Sequence, residues 1–306
     1  MSERAGRERT WAPGRPVDVL STLWPLRHGL GDPAHQVTPD GTFWWGCATP
    51  QGPGTLALRS TGAAAYAAAW GQGASWLLDV VPRLLGADDD WSTLHVTGYP
   101  VLHETLRRCP GMRLPSTGLV LDSLVPAILE QRVTGLESRR AWRGLLYRFG
   151  SPAPGPLARL RIPPPAGVLL EMTTWEWHRL GVDLRRQLAI RAAATVAYRL
   201  EECTRLALDA AVARLRLVPG VGEWTAAETA QRAFGHPDAV SVGDYHIPDL
   251  VGYALTGVPR TDDAQMLQLL APWRGQRQRV VRLVEASGIR KPRFAPRLAT
   301  TDIRAI

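Results

Sequence analysis

The chain has 306 residues, 45% of them apolar and 21% charged, which excludes a wholly disordered chain, a collagen-like repeat and a coiled-coil fibre. The formal net charge is +8 and the pI about 10.1, a surplus that points to a polyanionic partner, nucleic acid above all. No apolar run approaches the roughly 18 residues that cross a bilayer, the start Met1-Ser2-Glu3-Arg4 lacks a secretory stretch, and the three cysteines lie far apart. A reducing, cytoplasmic (nucleoid-associated) home with no membrane association is expected.

The first ten residues are polar and read as disordered. Val17–Leu20, Thr42–Trp45 and Thr55–Leu58 read as strands, with Pro39-Asp40-Gly41 as a turn between two of them. Ala63–Trp70 and Trp76–Leu85 read as helices, so a small α+β domain over 1–88 is expected to close near Gly86, before the polar Asp88-Asp89-Asp90. Beyond it the strand signal fades. Leu121–Val133 places Leu121, Leu124, Val125, Ile128 and Leu129 on one face, and Leu188–Leu200 and Leu206–Leu217 behave alike. The proline-rich stretches at 151–156 and 163–165 read as loops within this helical body, assigned to 89–290, and a basic tail follows over 291–306. Seven of the twelve tryptophans fall in residues 1–91, which argues for core and domain contacts rather than a row of stacking platforms.

The stretch Leu215–Ala226 carries the most chemical information. An apolar helix runs into Pro219-Gly220-Val221-Gly222, and a second helix starts at once with Glu223-Trp224-Thr225. Pro219 ends the first helix, the two glycines permit positive φ and close approach, and the second helix aims free N–H groups outward. That is either a phosphate site or simply a tight turn between helices. Two further segments accompany it: Ser241-Val242-Gly243-Asp244-Tyr245-His246, and Pro110–Pro115 followed by Ala127-Ile128-Leu129-Glu130-Gln131-Arg132-Val133.

Together these segments resemble the helix-hairpin-helix DNA glycosylase superfamily, specifically its 3-methyladenine DNA glycosylase II branch. The resemblance implies a mainly α fold: a glycosylase body of two helical subdomains behind a small α+β N-terminal domain. It implies that the protein bends double-stranded DNA, flips out an alkylated purine and hydrolyses its N-glycosidic bond. Asp244 falls at the family's catalytic aspartate; its other reading is a cap for the helix that follows. Trp224 and Tyr245 match base-pocket aromatics. Gly220, Val221, Gly222 and Thr225 match the phosphate grip, and Gln131 the glutamine at the gap left by the flipped base, where the family's apolar wedge is replaced by Arg132. Arg132 is read either as the gap filler or as a phosphate contact. Backbone carbonyls of Arg216, Val218 and Val221 match a family site for Na+ or K+.

Three departures refine this reading. Bifunctional relatives use a hairpin lysine as nucleophile where this chain has Trp224, and its one lysine, Lys291, lies in the tail, so lyase activity is not expected. Four clustered cysteines for an iron–sulfur centre are lacking. Glu228 and Arg282 stand where family aromatics would be expected; they form either an ion pair that reshapes the base pocket or exposed charges. The alternatives kept open are a glycosylase for deaminated or oxidised bases and a non-catalytic lesion-binding protein. A monomer is expected.

Overall fold

The computed structural model describes residues 6–290 and 302–305. Of the first ten residues, expected to be disordered, 1–5 lie outside the described residues, and the expectation is corrected for the rest: Arg7–Trp11 forms strand β1, pairing antiparallel with Ala65–Gly71 (β5). Its charged residues suit a sheet edge, where they discourage pairing with other chains. The sheet has the order β1-β5-β4-β3-β2, with β2 at His35–Val37, β3 at Phe43–Thr49 and β4 at Gly52–Ser60, and every pairing is antiparallel.

Two expected elements change type. Val17 makes only an isolated bridge to Gly62, and Val19–Leu23 is a short helix (α1), because Asp18 Oδ1 accepts the Ser21 N–H at 2.9 Å and caps it. Ala63–Trp70, read as a helix, is not one. It is β5, whose Ala65, Ala67 and Ala69 alternate inward beneath helix α2 (Ala74–Leu84). Small side chains there let the helix pack close to the sheet, and pairing on both edges outweighs helix propensity.

The remaining helices are α3 (Pro100–Arg108), α4 (Val120–Leu129), α5 (Gly135–Phe149), α6 (Ala166–Glu171), α7 (Thr174–Arg179), α8 (Leu184–Thr195), α9 (Ala197–Glu201), α10 (Leu208–Leu215), α11 (Glu223–Ala233), α12 (Ile247–Thr256), α13 (Asp263–Leu270) and α14 (Arg277–Ala286). The protein is therefore mainly α with a small α+β N-terminal part. Helix α4 stops at Leu129, short of the expected Val133, and the expected helix over 188–200 is broken at Val196. The proline-rich stretches are not wholly irregular: Ser151–Pro152 pairs with Arg161–Ile162, and the Arg161 N–H donates to Pro33 O at 2.8 Å, tying this ribbon to the N-terminal part.

Buried apolar side chains gather in three clusters. One underlies the sheet and α2, one is built from α4 to α11, and one joins α3 to α12–α14. The polar boundary at 88–90 carries a buried tether, since Asp89 accepts from Leu114 N at 2.7 Å and from Trp91 Nε1 at 2.5 Å, and pairs with Arg279 of α14 at 2.7 Å. The expected basic tail falls at 291–301 outside the described residues; Ile303–Ala305 forms a single turn.

Helix α4 contains a titrating group. Glu201 caps its start, accepting Val120 N and Leu121 N at 2.9 Å each, and Asp122 Oδ2 beside it is buried without a hydrogen-bond partner among the described residues. Burial, with Glu201 adding to it, pushes the Asp122 carboxyl up to about 7 from 3.8. Between these values the folded chain holds a proton that the unfolded chain releases. Stability from this group is therefore present in full below about pH 4 and is lost as pH rises toward about 7. Asp122→Asn is expected to stabilise the protein by about 2 kcal/mol at pH 8, a gain that shrinks toward zero near pH 4; urea unfolding at both pH values measures it.

Candidate nucleic-acid interface and base cavity

Helix α10 gives way at Arg216 to a hairpin whose turns are fixed by hydrogen bonds from Val218 N to Leu215 O (3.1 Å) and from Val221 N to Val218 O (3.0 Å). Val218 and Val221 are buried in the α4–α11 core, so the tip is anchored on both sides of Pro219-Gly220. Gly220 has φ +87°, and a Cβ on it would lie 2.6 Å from the Ala189 Cβ of α8. Gly222 differs from the expectation. Its φ is −91°, an ordinary extended value, and nothing lies within 4 Å of an added Cβ. Gly222 precedes α11 without a side-chain cap, leaving the helix N-terminus, with its partial positive charge, facing outward.

Gln131 is brought to this hairpin. Its Nε2 donates to Gly220 O at 3.0 Å and to Thr225 Oγ1 at 2.8 Å, locking the loop after α4 onto the tip. Thr225 is 2% exposed, so its hydroxyl holds the hairpin rather than facing a partner. Arg132 is exposed and has φ +54°, the one non-glycine residue in the left-handed region among the described residues. Backbone strain of this kind is retained where the surroundings enforce it.

On the other side of α11, Trp224 Nε1 donates to Asp244 Oδ2 at 3.0 Å. The second oxygen of Asp244 accepts His246 N at 2.7 Å and Ile247 N at 2.9 Å, capping α12. The capping role is present, and the tryptophan contact fixes the carboxylate at the hairpin's flank. Ile247 and Ser241, which bracket Asp244, both line a cavity of about 510 Å³ between α1, α11 and α14. Tyr245 does not line it; it is 71% exposed and packs edge-on against His246. Trp224, expected as a pocket wall, does not line it either, nor does Asp244; Trp224 lies one helical turn before the cavity-lining Glu228.

Glu228 and Arg282 both line the cavity, but the ion pair expected between them is corrected. Glu228 Oε2 is bound by Arg232 Nη1 at 2.7 Å, with Ser241 Oγ on Oε1; Arg282 Nη1 binds Glu285 at 2.5 Å, and its Nη2 donates to Ser21 O at 3.2 Å. Neither is an exposed charge: each has found a nearer partner on its own helix. Burial, aided by Glu130, raises the Glu228 carboxyl above its usual range despite Arg232. Arg232 also donates from Nε to Pro25 O at 3.0 Å, joining α11 to the turn that carries Trp24 on the cavity wall. Sequence reasoning missed Trp24, Arg27 and Gln278 as lining residues. Nothing local marks them, since they come from opposite ends of the chain.

No family model matches the sequence, and no curated protein does. Solved structures do. A 3-methyladenine DNA glycosylase from Archaeoglobus fulgidus aligns with a TM-score of 0.72 and 16% identity, covering 91% of this chain and 98% of that one. An 8-oxoguanine glycosylase/lyase from Clostridium acetobutylicum in its apo form gives 0.70 and 11% over 94% and 100%. The same enzyme in complex with double-stranded DNA containing cytosine opposite 8-oxoguanine gives 0.67 and 10% over 94% and 98%. The chain thus has the fold of the helix-hairpin-helix DNA glycosylases, a fold shared by enzymes with different lesions.

Proposed function

We propose that this protein is a monofunctional DNA N-glycosylase that acts on double-stranded DNA and excises alkylated purines of the 3-methyladenine type. The observation that carries the reading is the Asp244 carboxylate held by Trp224 Nε1 and two backbone N–H groups, three residues in sequence from the cavity-lining Ser241 and Ile247 and beside a helix N-terminus free to take a phosphate. A carboxylate so fixed stabilises the positive charge that develops on the sugar as the base departs and orients the attacking water. An N-alkylated purine leaves as a neutral base, so no general acid is required.

In this scheme the hairpin tip at Gly220, Val221 and Gly222 grips a phosphate, and exposed Arg132 enters the gap vacated by the flipped nucleotide. The carbonyls of Arg216, Val218 and Val221 are hard oxygen donors, chemically suited to Na+ or K+. A cation held there would orient the hairpin N–H groups toward phosphate. Trp224 occupies the position where bifunctional relatives carry their lysine, and the only lysine of the chain, Lys291, is in the tail, which supports hydrolysis without a Schiff base. The protein acts as a monomer in the cytoplasm, and a separate endonuclease takes the abasic product.

Incubation with methylated duplex DNA tests the reading. Free methylated purine and abasic sites are expected, with strand breaks only after heat or alkali and no covalent complex trapped by borohydride. Absence of released base overturns the glycosylase reading, and a borohydride-trapped complex overturns the monofunctional one.

A further inference from the structure

Two neighbours in the loop after α4 are held from opposite sides. Gln131 is fixed by the hairpin, through Gly220 O and Thr225 Oγ1. Glu130, one residue earlier, is held by the N-terminal part: His28 Nδ1 donates to its Oε1 at 3.2 Å. The buried His28 ring stands edge-on to Trp142 of α5, with ring centroids 5.4 Å apart. Its backbone is pinned as well, because the buried Asp32 accepts His28 N at 2.8 Å, His35 Nδ1 at 3.1 Å and Trp142 Nε1 at 2.9 Å. Burial by itself would raise the Glu130 carboxyl. The His28 bond and the facing charges of Arg232 and Arg139 outweigh it and hold the carboxyl below its usual range.

Between these holds the chain has little room. Arg186 Nη1 donates to Leu129 O at 2.9 Å at the end of α4, and α5 begins behind a capping box on Thr134. Residues 130–133 turn between two fixed ends, and Arg132 takes up the turn with φ +54°. A side chain in that conformation needs enforcement from its surroundings, and the anchored Glu130 and Gln131 supply it. We infer that Glu130, braced by His28, is the positioning residue for Arg132: it holds the loop in the shape that presents this guanidinium to the duplex. The inference rests on the reading above, in which Arg132 enters the gap left by the flipped nucleotide. A loop already in shape loses little freedom when Arg132 enters, which favours the extruded state. The N-terminal part thereby acquires a task in the reaction. Trp24, Pro25 and Arg27 line the base cavity and His28 follows directly, so one short segment supplies a cavity wall and the brace of the loop.

The test uses two duplexes, each with one 7-methylguanine, an N-alkylated purine. In one it faces cytosine; in the other it faces a pyrene nucleotide, whose flat aromatic area fills the gap without help from the protein. Single-turnover release is followed for wild type, Arg132→Ala, Glu130→Leu and His28→Phe, the last keeping a ring against Trp142 without the N–H. Each variant is expected to be about 10-fold slower than wild type opposite cytosine, the scale of one hydrogen bond to a charged group, and within about 2-fold of it opposite pyrene. Glu130→Leu added to Arg132→Ala is expected to slow release no further. His28→Asn, whose amide keeps a donor near the Nδ1 position, is expected to match wild type on both duplexes, and thermal melts check that every variant folds. An equal loss on both duplexes means that Glu130 and His28 only hold the fold, and overturns the inference. So does wild-type release opposite cytosine by Glu130→Leu or His28→Phe, an additive double variant, or a His28→Asn protein as slow as His28→Phe. If Arg132→Ala itself is unimpaired, the gap-filling role of Arg132 falls and the inference with it, while the glycosylase reading stands. Release of nothing by wild type from either duplex overturns the alkylpurine reading, and the inference falls with that too.

Discussion

Asp244→Asn is expected to slow base release by about 10³-fold, equivalent to about 4 kcal/mol of transition-state stabilisation, while binding to abasic-site duplex persists. Asparagine keeps the shape, so the loss isolates the charge. A structural cost accompanies it, because Asp244 uses one oxygen to cap α12 and the other to accept from Trp224 Nε1. An asparagine that keeps its oxygen on the cap turns its NH2 toward the tryptophan N–H, donor against donor, costing about 1 kcal/mol of stability. Trp224→Phe separates the two effects, since it removes the indole donor and leaves the carboxylate; a loss of about 10-fold is expected. Single-turnover release and urea unfolding measured on both variants decide. If Asp244→Asn releases base at the wild-type rate, the aspartate is a helix cap and nothing more.

Several parts of this site were legible in the residues. Pro219-Gly220 announced the hairpin, and the loop after α4 places Gln131 where its amide reaches Gly220 O. That Trp224 and Asp244 share a neighbourhood was implied by the family resemblance alone. The form it takes, a hydrogen bond between the two, follows from how α12 begins and is written in no local pattern. The partners of Glu228 and Arg282 were misjudged for a physical reason. Both residues lie one or less than one turn from an opposite charge on the same helix, Arg232 and Glu285, and such neighbours outcompete a charge that must be brought from another helix. The errors in the N-terminal part have local and tertiary causes. The alanine-rich stretch was decided by strand pairing and packing under α2, and the strand-like quartet by the Asp18 cap that starts α1. Of the cavity, only Glu228 and Arg282 were named beforehand, through the family resemblance; the rest of its walls come from residues near 20, 230 and 280, and only the fold makes them neighbours.

The two hairpin glycines are expected to fail in different ways when substituted, and the contrast tests the phosphate grip itself. Gly220→Ala places a β-carbon on a backbone with φ +87° and drives it to 2.6 Å from Ala189 Cβ. The left-handed conformation alone costs about 1–2 kcal/mol, and the collision adds to it, so a loss of about 2–3 kcal/mol in stability is expected. Because Gln131 holds Gly220 O, the shift spreads to the loop that carries Arg132, and affinity for duplex DNA is expected to fall at least 10-fold. Gly222→Ala meets nothing within 4 Å and needs no unusual φ, so its stability is expected to stay within about 1 kcal/mol of wild type. Nothing inside the protein asks for glycine there. If a phosphate seats on the N–H groups that open α11, the added methyl stands in its approach; affinity is then expected to drop about 10-fold, with the slope of log affinity against log salt reduced by about one. Unfolding curves and DNA titrations at several salt concentrations measure both. A Gly222→Ala protein that binds DNA like wild type with an unchanged slope means that the hairpin is only a tight turn, and that the phosphate contacts come from elsewhere on the basic surface.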